Sequence, residues 1–282
     1  TLSSSSAASD VYKRQLMNII NKKCIDLFEI KSEINSIVPL INFRFLKKRR
    51  FENDSGFGIY VFKYNNRIIY IGSYCDGKGG VSRQRWWTHL ATITSRFREN
   101  NFTTQIKPYL NKITDENLVK NLLDIKKDNL IKNFENSFTN PKFKSEIFDN
   151  ILNVRHNDRD NINLLLGNGN CRTSINRVKS SNYFWDEFRL LSKDDLLNKF
   201  SFIFFQLDKN KNKFSPLLQF LYSNYYNINF RKKFFRNYIE DNLINIIEPS
   251  ANESHAINDF KLNDKILNSA KDFSNYILEE IT

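Results

Sequence analysis

A nearly continuous apolar run, "FSFIFFQLD", occupies residues 200 to 208. Its length and aromatic content predict a buried strand. Residues 57 to 73, "FGIYVFKYNNRIIYIGS", predict two more strands with Asn65-Asn66 at the turn between them. Longer-period patterns predict helices. One starts at Val81 in "VSRQRWWTHLATITSRFR", and residues 106 to 153 are charged and helical. Another runs from about Asn229 to Ile247 and is stopped by Pro249, and residues 260 to 280 form an amphipathic helix. Residues 17 to 50 read as a helical lead-in that ends in the basic cluster Lys47-Lys48-Arg49-Arg50. Residues 155 to 182 are polar and rich in Gly and Asn, and read mostly as loop.

The first fifteen residues, "TLSSSSAASDVYKRQ", are small and polar and lack the apolar stretch of a secretory signal. "DVYKRQ" is similar to translated transposon-type adapter DNA. The expectation is a non-native or disordered tail over 1–15, ahead of a reading frame that is truncated or starts at Met17. The predicted organisation continues with a helical lead-in (16–55), a central domain (56–253) interrupted by a mainly helical insertion (96–198), and a C-terminal helix (254–282).

Composition narrows the class. The 282 residues are 40% apolar, with 25 Phe, so a sizeable core is available. Only 8 Gly and 5 Pro occur, which disfavours an all-β fold of many tight turns. The expected fold is α+β: a small three-stranded antiparallel sheet flanked by helices, with a large helical insertion. The net charge of +12 and pI near 9.5 point to a polyanionic partner, most often nucleic acid. Cys24, Cys75 and Cys171 lie far apart with no zinc or redox spacing, which fits a reducing cytoplasm. No apolar run reaches the roughly 18 residues of a membrane span.

The hairpin leaves two registers open. A two-residue turn at Asn65-Asn66 would pair Tyr60 with Ile71 and put Tyr60 and Tyr70 on opposite faces. A three-residue loop, Tyr64-Asn65-Asn66, would set Tyr60 directly across from Tyr70 on one face, with Asn66 left-handed.

Gly58-Ile59-Tyr60 and Tyr70-Ile71-Gly72 resemble the two tripeptides that name the GIY-YIG nuclease family. Two more blocks extend the resemblance. "RQRWWTHL" supplies Arg85 and His89 at i, i+4, matching an arginine followed by Tyr or His on the family's next helix. "EDNLINIIEPSAN" supplies Glu240, Leu243, Ile244, Pro249 and Asn252 at the offsets of the family's pattern E-x-x-L-I-x-x-x-x-P-x-x-N. The resemblance covers 56 to 95 and 198 to 253; the segment between them matches no known pattern and separates Arg85 from Glu240 more widely than is usual in the family. Glu240 also raises a physical question of its own. A carboxylate beside Leu243, Ile244 and Ile247 on a helix is costly unless a cation or hydrogen bonds satisfy it.

The resemblance implies metal-dependent phosphodiester hydrolysis. Glu240 would bind one divalent ion, Mg2+ or another such as Mn2+. Arg85 would grip the phosphate with its planar fork. Tyr60 would orient or deprotonate the attacking water, with Tyr70 in support and His89 sharing phosphate contact or proton handling. A phenol has an ordinary pKa near about 10, so positive charge from the metal, Arg85, Lys63 or Lys78 would have to lower it. Gly72 and Asn252 would support the site. Arg83, Arg155, Arg159, Arg172, Arg177 and Lys179 are candidate DNA contacts, the last five in a basic loop able to reach a groove. At least one of Trp86 and Trp87 is expected in the core.

The function expected is a bacterial or phage restriction-type endonuclease acting on double-stranded DNA in the cytoplasm, with a cognate methyltransferase encoded nearby and a homodimer as the natural arrangement for cutting two strands. The alternatives are a homing, mobile-element or repair-type nuclease of the same family, and a catalytically silent nucleic-acid-binding domain.

Overall fold

The computed structural model describes residues 17–34, 40–45, 54–75, 80–96, 113–153, 171–208, 228–252 and 264–282. Its strands are β1 (Asn18–Lys23), β2 (Phe28–Ile34), β3 (Leu40–Phe45), β4 (Phe57–Tyr64), β5 (Arg67–Tyr74) and β6 (Phe200–Asp208). The longer helices are α1 (Trp87–Thr94), α2 (Glu116–Phe134), α3 (Cys171–Tyr183), α4 (Ile228–Ile247) and α5 (Asp264–Ile281). Among the described residues no helix is long and apolar enough to cross a membrane.

The chain forms two units. The first is Thr1–Leu27, Leu46–Trp86 and Leu197–Thr282; the second is Phe28–Phe45 and Trp87–Leu196. The first unit holds a four-stranded antiparallel sheet in the order β1-β6-β4-β5. The class is α+β as expected, but the sheet has four strands rather than three. The extra strand comes from the lead-in, read as helical: Asn18–Lys23 pairs with β6 along its whole length, and Asn18 Nδ2 donates to Gln206 Oε1 at 3.0 Å. β1 is polar and largely exposed, as suits an edge strand that must not recruit others. Its pattern carries no apolar alternation, so only its partner reveals it.

Alternation divides the two faces of this sheet. Ile59, Val61, Ile71, Ile203, Phe205 and Leu207 form one face, and α4 and α5 cover it. α4 contributes Phe235, Ile239, Leu243 and Ile244; α5 contributes Ile266, Ala270, Phe273, Ile277 and Ile281. Both sets follow the helical period, so the C-terminal helix is part of this core. Lys63 Nζ donates to the Ile281 carbonyl at 3.0 Å, and burial lowers its ammonium pKa. The other face is aromatic. Phe62 stacks on Phe202 at 4.5 Å and Phe200 at 5.4 Å, and Trp86 lies flat on Phe202 at 4.5 Å and 9°. Trp86 is therefore core, as expected for at least one of the tryptophan pair.

The second unit contains the β2–β3 hairpin, also in the segment read as helical, and a set of helices. The described part of the predicted insertion is helical over Glu116–Ser137 and Pro141–Leu152 and again over α3. α3 corrects half of the 155–182 loop. Its buried face is made of Val178, Ser180, Ser181 and Asn182, and it packs against α1, where Ser181 Oγ donates to the Ile93 carbonyl. Small polar residues allow close approach of helices but carry no apolar period, so this helix reads as loop. Elsewhere in this unit Glu146 accepts from Arg189 Nε (3.0 Å), Arg189 Nη2 (2.6 Å) and Trp185 Nε1 (2.8 Å), which holds its carboxyl pKa low.

Candidate active site

The hairpin turn is the two-residue one. Asn65 and Asn66 both have positive φ, 46° and 65°, the type I′ geometry that matches strand twist. Tyr64 pairs with Arg67 and Lys63 with Ile68; the register then slips, and Phe62 pairs with Tyr70 and Tyr60 with Gly72. The slip is a bulge at Ile69. It joins the two-residue turn to the facing that the three-residue loop would have given. One extra residue on β5 moves Tyr70 onto the face of Tyr60, and their ring centroids lie 6.0 Å apart at 30°. The pair is diagonal, and the residue directly across from Tyr60 is Gly72.

That position explains the glycine. A Cβ on Gly72 would sit 2.5 Å from Tyr60 Oη and Cζ and 2.8 Å from Tyr70 Cε1. The hydroxyl end of Tyr60 thus occupies the space that a side chain at 72 would fill. Gly58 is constrained as well, because a Cβ there would lie 2.0 Å from the Phe205 carbonyl oxygen. Tyr60 is 2% exposed and Tyr70 9%.

β5 is an edge strand, and its outer edge is held by the segment following Ile247. Ala251 N–H donates to the Ile69 carbonyl at 2.8 Å. The Asn252 amide grips Ile71 at both backbone groups: Oδ1 accepts from its N–H at 2.7 Å and Nδ2 donates to its carbonyl at 2.8 Å. Asn252 thus imitates a neighbouring strand. Two residues further along β5, the Ser73 hydroxyl and N–H donate to the Glu240 carboxylate. Glu240 and Asn252 therefore clasp the same strand that carries Tyr70 and Gly72. Ser73, one position beyond the tripeptide, has no signal in the sequence.

Glu240 is half-buried on α4, above Leu243 and Ile244 of the core. Burial pushes its carboxyl pKa up; the Ser73 hydrogen bonds and the Arg236 charge oppose this, and Asp241 adds to it. This donor set fits a divalent cation. Carboxylate and hydroxyl are hard oxygen ligands of the kind such an ion takes. Among the described residues no three His, Cys, Asp or Glu side chains gather at one point, so a cation there would keep much of its water, as Mg2+ does.

Arg85 lies on a π-type turn, Ser82–Trp86, with its side chain exposed and its neighbour Trp86 buried against Phe202. Asp54 sets where that turn begins. Its carbonyl accepts from Val81 N–H at 2.9 Å, and its carboxylate accepts from Ser82 N–H at 2.9 Å and from the Ser82 hydroxyl. Burial pushes the Asp54 carboxyl pKa up against those hydrogen bonds. A folded pKa above the unfolded one means that the folded state binds more protons. The Asp54 contribution to stability therefore falls as pH rises from the unfolded carboxyl range, about 4, through its folded value. Asp54→Asn keeps an acceptor and removes the charge. In thermal melts it should gain on wild type as pH rises from about 4 to 7; a difference constant with pH would remove Asp54 as the source.

Other expectations fare differently. His89 lies in the second unit and is 3% exposed. Lys63 points to the helix-covered face and bonds Ile281, which removes it as a partner of Tyr60. Arg177 and Lys179 are half-buried on α3, in a helix rather than a loop. Lys78, Arg155 and Arg159 lie outside the described residues, as do the side chains of Arg83, Arg172 and Trp87.

No family model matches the chain, and neither does any curated protein or solved structure.

Proposed function

We propose that this chain is a divalent-cation-dependent DNA endonuclease of the GIY-YIG kind, cutting double-stranded DNA in the manner of a restriction enzyme. One observation carries the reading. Two motif blocks about 180 positions apart meet on one strand: Asn252 holds Ile71, Glu240 holds Ser73, and Tyr60 lies over the Gly72 between them. Each of these contacts uses a residue singled out by the resemblance. The positive charge of the chain supports a polyanionic substrate.

In this reading Arg85, exposed on its turn, binds a non-bridging phosphate oxygen and opposes the charge that builds on the phosphoryl group. Tyr60 Oη, fixed over Gly72 beside Tyr70, orients the attacking water. With Lys63 engaged elsewhere, Arg85 and the cation are the remaining candidates among the described groups to ease loss of the phenolic proton. Glu240, held by Ser73, supplies the carboxylate ligand. A bound divalent ion would polarise the phosphoryl oxygen and make water a better nucleophile.

Plasmid DNA incubated with and without Mg2+ tests the reading. The expected result is magnesium-dependent cleavage into discrete fragments, falling at least about a hundredfold in Arg85→Ala. DNA binding without cleavage would instead identify a silent nucleic-acid-binding domain, and random fragments would remove the restriction role.

A further inference from the structure

Arg236 precedes Glu240 by four residues on α4, so both side chains lie on one helix face. It is half-buried, and its Nε and Nη1 are enclosed with no acceptor among the described residues. Nη2 reaches Asn237 Oδ1 at 3.3 Å, a long contact to a chain neighbour. An enclosed donor left unpaired is destabilising, the more so on a charged group. A guanidinium cannot escape that cost by losing its proton. Nor does Glu240 satisfy it: Arg236 acts on that carboxylate through its charge, while the hydrogen bonds to the carboxylate come from Ser73. A cation with unpaired donors therefore stands one helical turn from the site's carboxylate, in a helix whose packing against the sheet is carried by Phe235, Ile239, Leu243 and Ile244.

We propose that Arg236 is a phosphate-contacting residue of this site, its unpaired N–H groups turning to a non-bridging oxygen of the DNA backbone beside Glu240. The inference rests on the nuclease reading for its ligand. Physically it resolves two imbalances together. The phosphate supplies the acceptor that Arg236 lacks, and the guanidinium offsets the repulsion between Glu240 and an incoming phosphate. Such a contact positions the backbone and carries no sequence information.

The test is the affinity of the full chain for a fluorescein-labelled duplex of mixed sequence, in EDTA, over a salt series. Arg236→Gln should weaken binding about tenfold, alike on unrelated sequences, and make the log–log salt slope shallower by about one. Arg236→Lys, which keeps the charge, should retain the wild-type slope. Wild-type affinity and slope in Arg236→Gln would overturn the proposal. Should that variant melt below the assay temperature, Arg236→Met fills the same space without donors and is read the same way. Magnesium-dependent plasmid cleavage by wild type scores the nuclease reading separately. Arg236-dependent binding without cleavage would sink that reading and keep the phosphate contact; cleavage with an unchanged slope in Arg236→Gln would do the reverse.

Discussion

Glu240→Gln is expected to lower plasmid cleavage by about a hundredfold to a thousandfold or more while leaving the fold at least as stable. The two halves of this expectation have one cause. Gln has the shape of Glu and still offers Ser73 an acceptor, but it carries no charge. Burial opposes the charge on Glu240, as the raised carboxyl pKa indicates, so removing it relieves the folded protein. On the proposed nuclease reading, what is lost is the carboxylate ligand for a divalent cation, since a neutral amide is a far weaker partner for Mg2+. Cleavage measured across a Mg2+ series, alongside thermal melts, separates the two effects. Cleavage at the wild-type rate would remove Glu240 as the metal ligand. A large drop in melting temperature would make it a structural residue instead.

Gly72→Ala is expected to damage both the fold and the activity. The added methyl group would meet Tyr60 Oη and Cζ at 2.5 Å and Tyr70 Cε1 at 2.8 Å. Both rings are nearly enclosed, so neither can swing freely aside. The strain expected is about 1–3 kcal/mol, with the Tyr60 hydroxyl displaced from its place over the strand. Misplacement by about 1 Å is enough to cost roughly a hundredfold in rate. A double-mutant cycle identifies the cause. In a Tyr60→Ala background the collision with Tyr60 is gone, so Gly72→Ala should cost much less stability there than in wild type. Additive costs would show that Gly72 answers to backbone conformation rather than to the tyrosine.

The site was partly legible from the chain because its parts are short and local. Tyr60, Tyr70, Gly72, Glu240 and Asn252 stand out by their offsets, and the structure brings all five to one strand. Arg85 is on a turn in the same unit and exposed. The offset of His89 from Arg85 says less, because the i, i+4 rule assumes an α-helix, whereas Ser82–Trp86 is wound with a wider π-type period, and burial of a histidine depends on neighbours that spacing does not reveal. Ser73, Asp54 and Arg236 were missed because each acts through a residue distant in the chain or through its lack of an acceptor.

By itself, the sequence determined the elements whose signals are complete within a window. The aromatic run of β6, the Asn65-Asn66 turn, α4 ending before Pro249 and the amphipathic α5 all follow from periodicity and turn chemistry. Only the tertiary structure decided which segments pair. β1 is polar and becomes a strand because β6 offers it backbone partners. α3 is a helix because its serines fit closely against α1. The bulge at Ile69 belongs to the same class: Ala251 holds the carbonyl of the inserted residue and Asn252 holds the next outward-facing position of β5, more than 180 positions along the chain. A one-residue slip turns every side chain to the opposite face. The placing of both tyrosines on one surface was therefore settled by hydrogen bonds across the fold, which no local pattern of apolar and polar positions encodes.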